Sequence, residues 1–170
     1  MTQILQRSLN AGAAWVGEKL GARVLSDYFH RFGFGRPTGV DLAGEVSGIV
    51  RPLAQWYPVD VGTAAFGQGV TVSPLQLAMA YAAIANGGTL YRPYVVASRR
   101  DADGEHRTAP VAIRQVVTPE TAATMRGMLL ATVDNGIAHN AAIAGFSVGG
   151  KTGTSQIAGP DGHYLVDQYV

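Results

Sequence analysis

The chain contains no cysteine among its 170 residues, which excludes disulfide bridges and thiolate metal sites. It has no apolar run near the roughly 18 residues that a membrane-spanning helix needs, and it does not open on a secretory signal peptide. Blocks of like charge are missing, and a net charge of +1 gives no support for nucleic-acid binding. The composition, 47% hydrophobic and 15% charged, is typical of a globular domain.

Three segments have the apolar spacing and the end signals of helices. The clearest start is Ser73-Pro74-Leu75-Gln76, which combines an N-cap serine, a first-turn proline and a capping-box glutamine. Its apolar face is predicted to bury Leu75, Ala78, Met79, Ala82 and Ala83. The three predicted helices are 24–32, stopped by Gly33, then 74–85, stopped by Asn86-Gly87-Gly88, and 119–133, stopped by Asp134-Asn135-Gly136.

Between the helices the sequence predicts loops and strands. Residues 33–70 are rich in glycine and contain three prolines, which indicates long irregular loops, and such loops are usually functional. Residues 90–98 and 111–117 are predicted strands, the first at an edge because of Pro93. The turn residues Asp101-Ala102-Asp103-Gly104 lie between them.

The end of the chain predicts an antiparallel hairpin. Its strands are 146–158 and 164–170, and Gly159-Pro160-Asp161-Gly162-His163 is the tight connection. Strand alternation would place Lys151 and Gly153 on one face and Thr152 and Thr154 on the other.

The run Gly149-Gly150-Lys151-Thr152-Gly153-Thr154-Ser155 lies in the first of these strands and is suited to hold an anion. It places a cation between glycines, ahead of three hydroxyl residues. One interpretation is a phosphate loop, because residues 145–152 fit G-x-x-x-x-G-K-[ST]. That motif needs a long helix directly after it, whereas two glycines, a proline and β-branched residues follow here.

The other interpretation is acyl transfer by an active-site serine. Its signature comprises S-x-x-K, S-x-N and K-T-G in that order. The chain has Ser8-Leu9-Asn10 and Lys151-Thr152-Gly153 in the right order. Each tripeptide alone usually means a helix cap or a surface turn. The sequence between them is therefore decisive.

That intervening sequence resembles the transpeptidase domain of class B penicillin-binding proteins, especially the division type. The resemblance implies an α/β (α+β) fold of the penicillin-binding protein and serine β-lactamase type. In that fold a mainly antiparallel sheet is flanked by helices, with a helical subdomain. It also implies one partial domain over 1–170, from the S-x-N motif to the K-T-G strand. The segments that carry the resemblance are 32–45, 66–70, 73–88 and 149–154.

The resemblance implies a substrate, a peptidoglycan stem peptide that ends in D-alanyl-D-alanine. Thr152 and Thr154 would bind its terminal carboxylate, with Lys151 supplying the complementary charge. Gly153 would leave space for the substrate backbone, and Gln156 would extend the peptide groove. The backbone N–H of Thr154 would be one oxyanion donor.

The resemblance also implies a proton path. Ser8 would lie between the Lys151 ammonium and the leaving amine, and Asn10 would hold the substrate amide. No cofactor is implied. β-Lactams would be covalent inhibitors of the intact protein, and membrane proteins of division or elongation would be partners. The site would lie on the extracytoplasmic side of the bacterial membrane, anchored by an N-terminal segment that this chain lacks.

One departure from the family pattern is the nucleophile. No serine of the chain has a lysine three residues on. We therefore expect a C-terminal fragment of a transpeptidase domain that does not acylate by itself. Two alternatives stay open: a non-catalytic peptide-binding module on the same fold, and a serine β-lactamase.

The remaining polar residues predict no metal site. No histidine has a His, Asp or Glu partner at metal-ligand spacing, so all are expected on the surface or in loops. Asp41 and Glu45 are loop carboxylates beside glycines, which usually cap turns or face solvent. The histidines are His30, His106, His139 and His163.

Overall fold

The computed structural model describes residues 1–160 and 164–169. Within this part of the chain, helices and short strands alternate. The α-helices are α1 (Thr2–Gln6), α2 (Asn10–Leu20), α3 (Ala22–Arg31), α4 (Pro58–Ala64), α5 (Pro74–Ala85) and α6 (Pro119–Asn135). The strands are β1 (Ile49–Val50), β2 (Val70–Thr71), β3 (Thr89–Tyr91), β4 (Ser98–Asp101), β5 (Gly104–Arg107), β6 (Ala112–Gln115), β7 (Gln156–Ala158) and β8 (Tyr164–Tyr169).

The chain forms two compact units. The first comprises Met1–Leu25, Pro52–Val70 and Met125–Val170, and it contains both polar tripeptides. The second comprises Ser26–Arg51 and Thr71–Thr124. The prediction of one partial domain over 1–170 remains a prediction.

The core of the second unit forms where α5 packs on β3. The predicted capping box is present: the Ser73 N–H donates to Gln76 Oε1 at 2.8 Å, and the Gln76 N–H donates to Ser73 Oγ at 3.2 Å. This cap fixes the rotation of α5, so that Met79 and Ala83 are buried against Leu90. The predicted burial of Ala78 and Ala82 is wrong, because Gln76 and Ala80 occupy the inner face instead.

Gln76 explains how the glycine-rich loop of this unit is held. Its side chain is 1% exposed, and Nε2 donates to the carbonyls of Gly33 at 3.3 Å, Arg36 at 2.8 Å and Ser47 at 2.8 Å. Buried backbone carbonyls need such partners, because an unpaired buried acceptor costs about 1–3 kcal/mol. A single buried amide thus replaces the regular hydrogen bonding that the loop lacks.

Of the two loop carboxylates, Glu45 caps a turn as expected, whereas the exposed Asp41 binds the backbone of a distant segment. Asp41 accepts the Val95 and Val96 N–H groups at 2.8 and 3.0 Å, and these bonds lower its pKa. Glu45 accepts the Thr38 N–H at 2.6 Å, and its hydrogen bonds to Thr38 lower its pKa. Neither carboxylate is placed for acid–base catalysis.

The strands of this unit are shorter than predicted. The predicted strand 90–98 is wrong in extent, because β3 ends at Tyr91 and β4 begins only at Ser98, beyond Pro93. β3 pairs antiparallel with β6, with Leu90 opposite Arg114. β4 and β5 form an antiparallel hairpin around the predicted turn, with Asp101 opposite Gly104. Proline and a register shift after Leu90 limit the ladder to a few residues.

The first unit contains α4, a helix within the predicted loop region. Its start is fixed by the Tyr57 N–H, which donates to Asp60 Oδ2 at 2.6 Å, and by Pro58 in the first turn. α4 packs closely on α2 at Gly17, where an added Cβ would lie 2.5 Å from Ala65 Cβ. Only a glycine permits this approach, so the expectation of irregular structure throughout 33–70 is wrong for this helix.

The part of helix α6 from Met125 onward belongs to the first unit. It ends at Asn135 before Gly136, as predicted, and it buries Leu129 and Val133. Met125 and Met128 are half-buried beside them. The segments that precede the two polar tripeptides are hydrogen bonded to this helix, at Ala131 and Leu129.

Candidate active site

A cavity of about 350 Å³ brings the two polar tripeptides together within the first unit. Its polar lining includes Ser8, Asn10, Lys151, Thr152 and Thr154. The acyl-transfer interpretation requires the two tripeptides to share one site, although they lie near opposite ends of the chain. The structure shows this arrangement. The apolar part of the lining comprises Ile4, Leu5, Leu9, Ala13, Ala65 and Phe66, with Gly153 beside it.

Ser8 occupies the short junction between α1 and α2. Its φ of 49° lies in the left-handed region, and it has the one positive φ among the non-glycine residues that the structure describes. Such a conformation costs an L-residue about 1–2 kcal/mol and persists where surrounding contacts fix it. The bend allows α1 to stop and α2 to begin at Asn10, so that both side chains line the cavity.

Lys151 makes the bond that joins the tripeptides. Its Nζ donates to Ser8 Oγ at 2.7 Å, to the Thr152 carbonyl at 2.8 Å and to Thr152 Oγ1 at 3.2 Å. These three acceptors are uncharged, and burial lowers the pKa of the Lys151 ammonium. The ammonium is therefore held in place by neutral oxygens, and its charge is not cancelled by them.

The accepting hydroxyls keep their own protons. Ser8 Oγ and Thr152 Oγ1 each accept from Lys151, so each O–H can still donate to a bound group. The site therefore offers a cation and two hydroxyl donors side by side. This combination suits a carboxylate ligand and a proton relay.

The glycines of the run serve different physical needs. The Gly150 N–H donates to the Leu129 carbonyl of α6 at 3.2 Å, and an added Cβ on Gly149 would lie 3.3 Å from Leu129 Cβ. Gly149 thus lets the segment lie close against α6. An added Cβ on Gly153 would meet no atom within 4 Å, so this glycine leaves open space in the cavity.

The predicted strand geometry of the tripeptide is wrong. Residues 149–155 have no strand assignment, and β7 begins only at Gln156. Lys151 and Thr152 are consequently not on opposite faces: their side chains are hydrogen bonded, and residues 151–154 all line the cavity. The predicted antiparallel pairing is confirmed further on, where Gln156 lies opposite Tyr169.

Gln156 is not among the residues that line this cavity. It is exposed at the start of β7. Its role in extending a peptide groove stays a prediction. Residues 161–163 of the predicted connection 159–163, and with them His163, lie outside the described residues.

The phosphate-loop interpretation is wrong. A strand, β7, follows the glycine-rich run where that motif requires a helix. No helix N-terminus is therefore available at Thr152 to receive a phosphate.

The described residues hold no group of three or more metal-ligating side chains. His106 Nε2 lies 3.0 Å from Asp101 Oδ1 on the exposed β4–β5 hairpin, an ordinary surface pair. His139 is exposed, and His30 is half-buried on helix α3, so it does not lie in a loop. Within the part of the chain that the structure describes, no helix is both long and apolar enough to cross a bilayer.

Sequence reasoning missed the apolar wall of the cavity. Ala65 and Phe66 follow α4, the helix that the glycine-rich composition concealed. Phe66 belongs to the segment 66–70, which carries part of the family resemblance. That resemblance was the one signal in the sequence that could have identified Phe66. Ile4 and Leu5 lie on α1, a helix of five residues that is too short for a clear periodic pattern.

Comparisons with known proteins identify the family of the chain. Residues 1–169 match the family described as the penicillin binding protein transpeptidase domain. Stage V sporulation protein D of Bacillus subtilis is 42% identical, over 99% of this chain and 26% of its own length. Peptidoglycan D,D-transpeptidase FtsI of Escherichia coli is 33% identical, over 97% of this chain and 27% of its own length. The chain therefore spans about a quarter of these relatives.

The structural comparison confirms the fold class. Penicillin binding protein 3 of Mycobacterium tuberculosis, crystallised with aztreonam, superposes with a TM-score of 0.92 at 34% identity, over 99% of this chain and 40% of that chain. The mixture of helices with antiparallel ladders is thus that of a penicillin-binding transpeptidase. Together with the family match over 1–169, it shows that this chain belongs to the penicillin-binding protein transpeptidase domain family.

Proposed function

We propose that this chain is the part of a serine-type peptidoglycan D,D-transpeptidase that binds the substrate carboxylate and relays the proton. The observation that carries the proposal is the 2.7 Å bond from Lys151 Nζ to Ser8 Oγ, inside a cavity that Asn10 and Thr154 also line. The name of the Escherichia coli relative, a peptidoglycan D,D-transpeptidase, supports the same reaction.

The substrate would be held by its terminal carboxylate. The hydroxyls of Thr152 and Thr154 donate to the carboxylate, while Lys151 supplies a positive charge beside it. Charge-assisted hydrogen bonds contribute about 1.5–3 kcal/mol each, and more where water is excluded. A D-alanyl-D-alanine end offers the required carboxylate one residue beyond the bond that breaks.

The proton would move through Ser8. In acyl transfer, a serine gives its proton to a nearby base as its oxygen attacks the carbonyl, the bond to the terminal amine breaks, and that amine leaves with a proton. Ser8 Oγ can donate its own proton to the leaving amine and recover one from Lys151 Nζ, because the two are already hydrogen bonded. Asn10 would orient the substrate amide, and the Thr154 N–H would stabilise the developing oxyanion.

The nucleophile would be supplied by a part of the protein outside this chain. No S-x-x-K occurs in the 170 residues, and the curated relatives are about four times longer. We therefore assign the complete activity to the complete gene product. The acyl group then passes from that serine to the amine of a second stem peptide, which forms the cross-link.

The same site would accept β-lactams. A carboxylate beside a strained amide presents the groups that Thr152, Thr154 and Lys151 are placed to bind, and penicillin binding protein 3 of Mycobacterium tuberculosis was also crystallised with ampicillin, which has such a carboxylate. Because the substrate is cell-wall peptide, we place the site on the extracytoplasmic side of the membrane. We propose a division-type role with membrane proteins of division as partners.

The test is labelling of the complete gene product by a fluorescent penicillin. We expect one stable adduct per protein on a serine followed by x-x-Lys upstream of Ser8. Rapid hydrolysis of the drug would show a β-lactamase instead. Absence of any adduct from a folded protein would contradict the transpeptidase assignment.

A second candidate is a non-catalytic binding module that keeps the carboxylate pocket. The absence of S-x-x-K from the chain favours it. It predicts reversible binding of a D-alanyl-D-alanine peptide with no covalent adduct. Mass spectrometry after penicillin treatment separates the two, because only the enzyme gains the mass of the drug.

A further inference from the structure

A single turn of helix α6 accepts hydrogen bonds from residues that lie just before each polar tripeptide. Gln6 Nε2 donates to the Ala131 carbonyl at 3.1 Å, and Gln6 precedes Ser8 by two residues. The Gly150 N–H donates to the Leu129 carbonyl at 3.2 Å, directly before Lys151. Two residues along a helix rise by about 3 Å. The two segments are therefore set at nearly the same level on one rigid element.

Gln6 is held through its backbone as well as its side chain. The Ile137 N–H, just past the end of α6, donates to the Gln6 carbonyl at 2.9 Å. Gly136 makes this approach possible, because an added Cβ there would lie 2.7 Å from the Gln6 carbonyl oxygen. Gln6 is thus held by two hydrogen bonds, one from its side chain to α6 and one to its carbonyl from the residue after Gly136.

The backbone conformation of Ser8 has to be fixed by contacts from outside its own segment. Its left-handed backbone, with φ of 49°, is unfavourable for a serine by about 1–2 kcal/mol. The Ser8 N–H donates to the Leu5 carbonyl at 3.2 Å, and the Leu9 N–H donates to the Ile4 carbonyl at 3.0 Å. These bonds close the end of α1 but leave α1 itself, a helix of five residues, to be anchored by other contacts.

We propose that Gln6 is a positioning residue that fixes Ser8 opposite Lys151, an inference that rests on the proposed function. Gln6 does not line the cavity, so it acts through Ser8 and not by touching the substrate. Losing its amide donor leaves only the Ile137 backbone bond to hold the end of α1, which loosens it and lets Ser8 Oγ move away from Lys151 Nζ. Proton relay then slows, while the carboxylate contacts of Thr152 and Thr154 remain.

The test compares Gln6→Met with Gln3→Met in the complete gene product. Methionine keeps the length of glutamine and removes the donor. Gln3 lies on the same helix with an exposed side chain, so it is the matched control. Acylation by a fluorescent penicillin is followed over drug concentration, which separates the maximal rate from half-saturation. Adduct stoichiometry and the thermal midpoint are measured in parallel.

We expect Gln6→Met to lower the maximal acylation rate about three- to tenfold, the effect of one lost hydrogen bond. Half-saturation and the final stoichiometry should stay unchanged, and Gln3→Met should match the unsubstituted protein. In Gln6→Glu, protonation restores a donor, so its rate relative to the unsubstituted protein should rise as pH falls.

Two results would overturn the inference alone. One is an unchanged maximal rate for Gln6→Met in a protein that labels normally. The other is a lower stoichiometry and thermal midpoint with a normal rate for the labelled fraction, which would show a purely structural role. If the unsubstituted protein forms no adduct, the proposed function itself fails, and the inference fails with it.

Discussion

Lys151→Met removes the ammonium that holds the two tripeptides together. Methionine retains most of the side-chain volume, so the change isolates the charge and its hydrogen bonds. Three bonds are lost, but two of them run to Thr152, the adjacent residue. The bond to Ser8 Oγ is the one that spans the site.

The expected loss follows from that bond and from the charge facing the ligand. A hydrogen bond from a charged donor contributes about 1.5–3 kcal/mol, and about 1.4 kcal/mol corresponds to a factor of ten. Loss of the Ser8 contact alone should therefore slow acylation about tenfold to a hundredfold. The missing attraction for the carboxylate adds to this, so labelling should become barely detectable.

The assay is the second-order rate constant for labelling of the complete gene product by a fluorescent penicillin. Lys19→Met is the matched control, because Lys19 is the other lysine of the chain and is exposed on α2. It should label at the rate of the unsubstituted protein. If Lys151→Met labelled equally fast while remaining folded, the assignment of this cavity as the acyl-transfer site would be refuted.

Further substitutions probe the same unit. Thr152→Val removes one hydroxyl donor to the carboxylate and should slow labelling about tenfold, whereas Thr124→Val, exposed on α6, should not. Because burial lowers the pKa of Lys151 below its unfolded value of 10.5, the unfolded chain binds more protons between the two pKa values. Stability measured by denaturant should therefore rise with pH through that window, and Lys151→Met should lack the rise. Gly136→Ala places a Cβ 2.6 Å from the Thr132 carbonyl oxygen and should destabilise the protein by about 1–3 kcal/mol in thermal unfolding. Gly127→Ala, with open space inside α6, should instead stabilise the protein by about 0.5–1 kcal/mol, and equal effects of the two would contradict the packing described at Gly136.

Local signals predicted the helices well where they were strong. The Ser73 and Gln76 side chains could be assigned to a capping box because that motif needs only neighbouring residues. The end of α6 before Gly136 was equally local. The meeting of Ser8 with Lys151 could be expected from the family resemblance, because no local rule relates residues so far apart.

Other features depend on contacts that the sequence does not show. Helix α4 lies in a glycine-rich region, and it exists because Gly17 lets it pack on α2. The tripeptide 151–153 has strand-like residues, yet Gly149 and Gly150 lie against α6 in place of a neighbouring strand. A tertiary contact with α6 thus takes the place of the strand pairing that was predicted for this segment.

Gly149 and Gly153, on either side of Lys151, show why the residue type alone could not tell what each glycine does at this site. Gly149 has backbone and side-chain atoms of Leu129 and Leu130 within 3.5 Å of a would-be Cβ, so close packing favours a glycine there. Gly153 has none within 4 Å, so packing does not require its small size, and it leaves open space in the cavity. Open space alone does not indicate a ligand, because Gly127 on α6 meets no atom within 4 Å either. What distinguishes Gly153 is its place in the cavity lining next to Lys151, where a larger side chain would fill space that the proposed substrate needs.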